Sequence, residues 1–373
     1  MIDDALLSRE TLDYDEWVQT PQPEHLVPDS IERKRAREQF RSRLNAPTDA
    51  VVISHTDADG LSSAALLTNH LERTLDTIDV AVKTIDYNGP YRFEHVVEDL
   101  LETGVHSTPI FISDFALDNE SVVDDLGTLA NARDCSIIWY DHHQWDEGLV
   151  ADLEAAGISV VIDEDECAAS LIERELGPFD DLYKDLAECT KDIDLWIKDD
   201  PRSERLNVFA SLVDGPWEYI DVVLEHGANL PDDVQERIDE RLERDRELEQ
   251  AAIENRVVYG VGGYDVAITY VRGGRSNQIG NDLVEEMDHD IAIIQKPHGG
   301  MGIYSHSDRE TFAKCHEIAD QLGGGGHPTA AGCEVPVETF RDLADFWKTC
   351  GVSVREDLLE AVIAVVNEDG DPE

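Results

Sequence analysis

Histidine and aspartate recur at three points of the chain in spacings that suit a pair of divalent cations. His55-Thr56-Asp57-Ala58-Asp59-Gly60 follows the apolar run Ala50-Val51-Val52-Ile53-Ser54, Asp114 follows a second run in Ser113-Asp114-Phe115, and Asp141-His142-His143 follows a third at 136–140. A two-cation hydrolytic site needs about four to six oxygen or nitrogen ligands holding ions roughly 3.5 to 4 Å apart, with a bridging carboxylate. His55, Asp57, Asp59, Asp114 and His142 offer five such ligands, and Asp192, with Asp194 as its rival in Thr190-Lys191-Asp192-Ile193-Asp194-Leu195-Trp196, offers a sixth. Mixed carboxylate and imidazole donors fit two manganese ions best, with magnesium or cobalt as substitutes. Such ions acidify water and neutralise charge on phosphoryl oxygens, which points to phosphoester hydrolysis. Acidic pairs alone signify little where 82 residues are Asp or Glu, so Asp124-Asp125, Asp180-Asp181 and Asp199-Asp200 read as solvated surface. Histidine company and a preceding strand set the first group apart.

The elements that must position these residues follow from hydrophobic patterning. Strands are predicted at 50–54, 78–85, 109–113, 136–140 and 158–162, with helices near 61–75, 91–103 and 119–131 between them. That alternation predicts an α/β fold: a mostly parallel five-stranded sheet with helices on both faces. Ligands in such sheets sit at the carboxyl ends of the strands, and all three polar clusters fall there. Residues 167–256 read as helical and end in a charged connecting helix. Beyond it, strands at 257–260, 264–271, 290–295 and 300–304 and helices near 277–286 and 311–322 predict a smaller α/β C-terminal domain. The expected organisation is a polar extension over 1–47, a metal-binding catalytic domain over 48–230, a connecting helix over 231–256, a substrate-binding domain over 257–345, and a final helix and acidic tail over 346–373.

Composition narrows the partners. The net charge of −52, with 8 lysines against 22 arginines, is that expected of a halophile's cytoplasm, where salt near 1 M shortens the Debye length to about 3 Å and screens self-repulsion. A polyanionic substrate cannot be held by bulk positive charge, and counterion release contributes little at high salt. One segment departs from this trend, with Arg33, Lys34, Arg35, Arg37, Arg41 and Arg43 close together. It reads either as a contact for nucleic acid or a partner protein, or as a helix that pairs with the protein's own acidic surface. Six scattered cysteines without a Cys-x-x-Cys pair argue against zinc ribbons and disulfides. With no long apolar run and no leader pattern, a cytoplasmic protein without a membrane segment is expected.

The motifs His-x-Asp-x-Asp-Gly, a strand-end Asp, Asp-His-His, and the late Gly323-Gly324-Gly325-Gly326-His327-Pro328-Thr329-Ala330-Ala331-Gly332, in that order, resemble the DHH phosphoesterase family, which includes RecJ-type exonucleases, nanoRNases and cyclic-dinucleotide phosphodiesterases. The resemblance covers about residues 50–335. It implies a manganese-dependent phosphodiesterase with its site in a cleft between two α/β domains. Carried over by position, His55, Asp57 and Asp192 would hold one ion, Asp59 and His142 the other, and Asp114 would bridge. His143 would face the phosphate, and Asp141 would orient a neighbouring imidazole. Gly324, Gly325 and Gly326 would bring backbone N–H groups to a phosphate, with His327 donating as well.

One departure is that Ser305-His306-Ser307 stands where the family carries Arg-Ser, so His306 replaces a phosphate-binding arginine. Arg275 and Asn277 become candidate substrate contacts, or else belong to a turn built on Gly273 and Gly274. Related pyrophosphatases space the first motif as His-x-x-x-Asp-x-Asp, which disfavours that activity. RecJ-type exonucleases usually add an OB domain, whereas fewer than forty residues follow Val335. The expectation is therefore a compact enzyme releasing mononucleotides from single-stranded DNA or RNA ends or short oligonucleotides. Alternatives are a cyclic-dinucleotide or adenosine-bisphosphate phosphoesterase, and a non-catalytic subunit of a replication or repair complex.

Overall fold

A computed structural model describes residues 29–74, 79–87, 89–117, 119–297, 299–306, 312–337 and 339–368. The extension up to residue 28, Ser307 and the acidic tail lie outside them. The chain divides into two compact units, the break falling after Ile238.

The first unit is built on β1 (Ala50–His55), β2 (Val80–Ile85), β3 (Ile110–Ser113), β4 (Ile137–Asp141) and β5 (Ser159–Ile162), all parallel in the order β2-β1-β3-β4-β5. Residues Ala50–Ile53 and Ile110–Ser113 are buried throughout, as expected of strands covered on both faces. Val51, Ile53, Ile112 and Trp139 face one layer, built from α1 (Asp29–Leu44), α3 (Phe93–Thr103) and α4 (Val123–Gly127). The opposite face carries α2 (Ala58–Thr74) and α6 (Ala168–Leu176); α5 (Glu147–Ala155) lies between β4 and β5 in sequence. The small residues Ala58, Gly60, Ser62, Ser63, Ala64 and Ala65 leave α2 buried along its first half. It is thus enclosed by α6, α7 (Asp181–Asp194) and α9 (Pro216–His226), while α8 (Pro201–Ala210) packs on α7. A buried chain of hydroxyls, Thr190 to Ser62 at 3.0 Å and Ser62 to Tyr219 at 2.9 Å, ties α7 and α9 to α2.

The basic segment falls on α1, and Arg37, Arg41 and Arg43 pair with acidic residues of the same chain. The buried Asp99 of α3 accepts from Arg37 Nε at 2.6 Å, Arg41 Nε at 2.7 Å and the Tyr91 hydroxyl at 2.6 Å. Arg41 also meets Glu102, and Arg43 meets Asp79. Of the two readings of this segment, pairing with the chain's own acids is the one seen. All six cysteines are free and five are buried. Among the described residues, no helix is long and apolar enough to cross a membrane.

The long helix α10 (Asp232–Glu254) contains the break between units. The second unit is a six-stranded mixed sheet of β6 (Val257–Val261), β7 (Tyr264–Tyr270), β8 (Ile291–Gln295), β9 (Gly300–Ser305), β10 (Gly325–Gly326) and β11 (Ala330–Glu334), ordered β10-β11-β9-β8-β7-β6. Only the β7–β8 pair is parallel, joined through α11 (Ser276–Asn281). One face is packed by α12 (Cys315–Gln321), α13 (Phe340–Thr349) and α14 (Arg355–Glu368), the other by α11 and the end of α10 around Ala252. The α/β class is therefore as expected, with a second, smaller sheet domain.

Candidate metal centre

Sheet register brings the three motifs together. Ser54 pairs with Ser113 and Ser113 with Tyr140, so His55, Asp114 and Asp141 each lie one residue further along three adjacent strands. Neighbouring strands are about 4.8 Å apart, which places these residues within reach of one another. The chain reverses its winding between β1 and β3, and the crevice at such a reversal is where open parallel sheets bind ligands.

Local structure explains the first motif. Asp57 stands at the head of α2, where its Oδ1 accepts from Gly60 N at 3.0 Å, while its Oδ2 lies 2.8 Å from His55 Nδ1. A Cβ on Gly60 would come within 2.3 Å of the His55 carbonyl oxygen, so only glycine lets the first turn of α2 settle against the end of β1. Asp59 is buried, its two oxygens accepting from the N–H groups of Ala169 at 2.8 Å and Ala168 at 2.7 Å at the start of α6.

Asp114 turns out of β3 with φ 57°, a left-handed conformation that aspartate tolerates better than most side chains. His142 Nε2 lies 3.3 Å from Asp114 Oδ1, 3.8 Å from Asp59 Oδ2 and 3.5 Å from Asp194 Oδ2. His55 Nδ1 is 3.8 Å from Asp114 Oδ2. Three ligand-competent groups result: His55, Asp57 and Asp114; Asp59, His142 and Asp194; and Asp114, Asp141, His142 and His143.

The sixth position is a correction. Asp192 does not join the cluster, because Oδ1 and Oδ2 accept from the N–H groups of Asp199 and Asp200 at 2.8 and 3.2 Å. It is Asp194, at the last position of α7, that reaches His142. On a helix, residues two apart point in different directions, and periodicity alone does not say which faces the sheet.

Electrostatics fit a cation. Asp114 Oδ2 and Asp194 Oδ2 are buried without a hydrogen-bond partner, an arrangement that costs about 1–3 kcal/mol per neutral group and more for a charged one. Burial, then the charges of Asp194 and Asp57, push the Asp59 carboxyl up to about 8, and burial with Asp59 and Asp57 pushes Asp114 well above its usual range. Asp57 is the exception, held at about 2 because the hydrogen bond and charge of His55 outweigh burial. Crowded carboxylates that resist ionising together are what a divalent ion relieves, and hard oxygens with imidazole nitrogens are suitable donors.

Asp141 and His143 form a pair beside this cluster. Asp141 Oδ1 lies 2.8 Å from His143 Nδ1, and its Oδ2 accepts from Trp145 Nε1 at 2.6 Å. Trp145 is held edge-on to the buried Trp139 with ring centroids 5.2 Å apart. The Asp141 hydrogen bond raises the His143 pKa against the opposing effect of burial. Trp145 and Tyr87 were not singled out from sequence. Tyr87 stacks on Phe115 at 4.6 Å and lies 5.4 Å from the His55 ring, and its place just past β2, at the same sheet edge, was the available signal.

The candidate contacts of the second unit are engaged within it. Arg275 pairs with Glu249 at 3.0 Å, His306 Nδ1 lies 3.4 Å from Glu285, and Asn277 Oδ1 accepts from Gln278 N. The glycine run is not a free loop but the short strand β10. Gly323 and Gly324 donate their N–H groups to Asp320 and Ala319, and His327 N donates to Ala330 O at 2.8 Å, leaving Gly325, Gly326 and the His327 side chain exposed. The expectation of a run of N–H donors is corrected accordingly, since the end of α12 takes the N–H groups of Gly323 and Gly324 and the turn into β11 takes that of His327.

No family model matches this chain, and no curated protein does. Among solved structures, the exonuclease RecJ bound to manganese superposes with a TM-score of 0.54 at 15% identity over 89% of this chain and 94% of that one. The pGpG-specific phosphodiesterase PggH from Vibrio cholerae gives 0.49 at 16% over 86% and 100%. RecJ in complex with Mn2+ from Thermus thermophilus gives 0.48 at 17%, over 89% of this chain and 54% of that one. At these identities the likeness to the manganese-bound exonuclease shows a shared fold.

Proposed function

We propose that this chain is a divalent-metal-dependent phosphoesterase that hydrolyses phosphodiester bonds at single-stranded nucleic-acid ends or in short oligonucleotides, releasing mononucleotides. The observation that carries this reading is the convergence of His55, Asp57, Asp59, Asp114, His142 and Asp194 at one sheet edge with two orphaned carboxylate oxygens. These six would hold two ions, with Asp114 shared, manganese being the preferred metal. When bound, the ions supply Lewis-acid stabilisation of the phosphoryl charge and acidify water.

The remaining chemistry belongs to the chain's own residues. Asp141 fixes the His143 ring through Nδ1, so Nε2 is the nitrogen presented to substrate. The Asp141 hydrogen bond raises the His143 pKa and so favours the protonated ring, whose Nε2–H would hold a phosphoryl oxygen or give a proton to the departing alkoxide. Residues 48–230 would be the catalytic domain. Residues 257–345 would bind substrate, with Gly325, Gly326 and His327 as the exposed contacts and Arg275, Asn277 and His306 subordinate to them.

The test is an assay in high salt with manganese against single-stranded DNA, a five-nucleotide RNA and a cyclic dinucleotide. Mononucleotides from either linear substrate are expected; turnover of the cyclic dinucleotide alone, or of none despite bound metal, overturns the reading.

A further inference from the structure

We infer that Trp196 is a stacking platform for a base of a single-stranded nucleic-acid substrate, and that Asp192 is the positioning residue for the loop that presents it; this rests on the phosphoesterase reading of the adjacent cluster. Among the described residues Trp196 is the most exposed large apolar side chain, at 63%. It stands two residues beyond Asp194, so its Cα lies within about 7.6 Å of that of a residue touching His142. The next residue, Ile197, is exposed as well, at 49%.

The backbone is built to hold this indole out. Trp196 has φ 55° and Lys198 φ 59°, left-handed conformations that usually fall to glycine at the end of a helix. A bulky aromatic persists there only because the surroundings over-determine the turn. Asp192 does so four times: its carbonyl accepts from Ile197 N at 2.9 Å and Lys198 N at 3.2 Å, and its carboxylate accepts from Asp199 N and Asp200 N. The carboxylate expected to bind metal thus acts as a clamp on residues 197–200.

The occupant follows from charge. With a net charge of −52 the protein repels a polyanion at long range, and binding requires contacts that do not depend on bulk electrostatics. Base–aromatic stacking is such a contact, and it tolerates any base because every base has a π-face. The Lys198 ammonium lies over one face of the indole, 3.8 Å from its centroid, so a base would stack on the opposite face with one positive charge held across the ring from it.

The test measures binding by calorimetry with the full chain carrying Asp114→Asn, so that ligand survives, using an unlabelled five-nucleotide single-stranded DNA and an abasic oligomer of equal length. Trp196→Ala should weaken the base-bearing oligomer roughly 10- to 100-fold and leave the abasic one within about twofold. Trp196→Phe should recover most of the affinity. Asp192→Ala should lose part of the same base-dependent affinity while manganese binding persists. Equal affinity before and after Trp196→Ala, equal loss on both oligomers, or no binding by the parent overturns the platform. Loss of manganese on Asp192→Ala overturns the clamp. Hydrolysis by the unsubstituted chain is scored separately: its absence sinks the enzymatic reading, whereas base-dependent binding through Trp196 leaves the platform standing.

Discussion

The acidic centre of the first unit and the glycine hairpin of the second were both suggested by short motifs, yet they are built in opposite ways. At the centre, side chains converge with carboxylate oxygens left unpaired in a buried setting, so the polypeptide by itself is electrostatically incomplete. In the hairpin and its surroundings the polar groups are already partnered: Arg275 with Glu249, His306 with Glu285, and the Gly324 N–H with Ala319. Residues that must act on a ligand are those whose interactions the fold leaves unfinished, and that measure supports the proposed placement of the chemistry at the sheet edge.

The largest expected effect sharpens the first half of this contrast. Asp114→Ala removes the ligand shared by two of the groups and should lower kcat by about 10³-fold or more, since each 1.36 kcal/mol is tenfold and a metal supplies several. The melting temperature, checked by circular dichroism, should not fall. Next, His143→Ala should cost about 10²- to 10⁴-fold in kcat. Asp141→Asn should cost roughly 10- to 100-fold, with a shifted pH–rate profile, because it loosens the ring rather than removing it.

Metal removal probes the same incompleteness through stability. The folded-state pKa values of Asp59 and Asp114 are raised, so these groups stabilise the metal-free fold fully below the unfolded carboxylate pKa near 3.9, and that stability is lost as pH rises, toward about 8 for Asp59. The gain in melting temperature on adding manganese to chelated protein should therefore grow between pH 5 and pH 8. A gain that is flat or shrinks with pH would contradict the crowding of carboxylates.

Smaller effects test the second unit. Gly324→Ala should lower the melting temperature, because its Cβ would meet the Gly332 carbonyl oxygen at 2.2 Å. Arg275→Ala should change KM less than threefold, since its guanidinium is committed to Glu249. A tenfold rise in KM would break the contrast between the two units.

What sequence revealed tracks the range of the interactions. The parallel sheet was legible because its strands are short apolar runs, and His55, Asp59, Asp114 and His142 were legible because each lies within a few residues of a strand end. Asp194 stood as an alternative to Asp192, since the choice depends on how α7 rotates against α2, which the buried Thr190–Ser62–Tyr219 chain settles. Tyr87 and Trp145 escaped notice because aromatic residues carry no spacing signature; their roles come from ring contacts with Phe115 and Trp139. The glycine run was read as a set of N–H donors for a phosphate, since a two-residue strand such as β10 leaves no periodicity to show which of them the fold uses.

Manganese stoichiometry tests the central claim most directly. Chelated, dialysed protein titrated with Mn2+ and followed by electron paramagnetic resonance should bind two ions per chain, with spin coupling between them. Asp114→Asn should bind at most one, without coupling. Two uncoupled ions in both proteins, or none in either, would contradict the account.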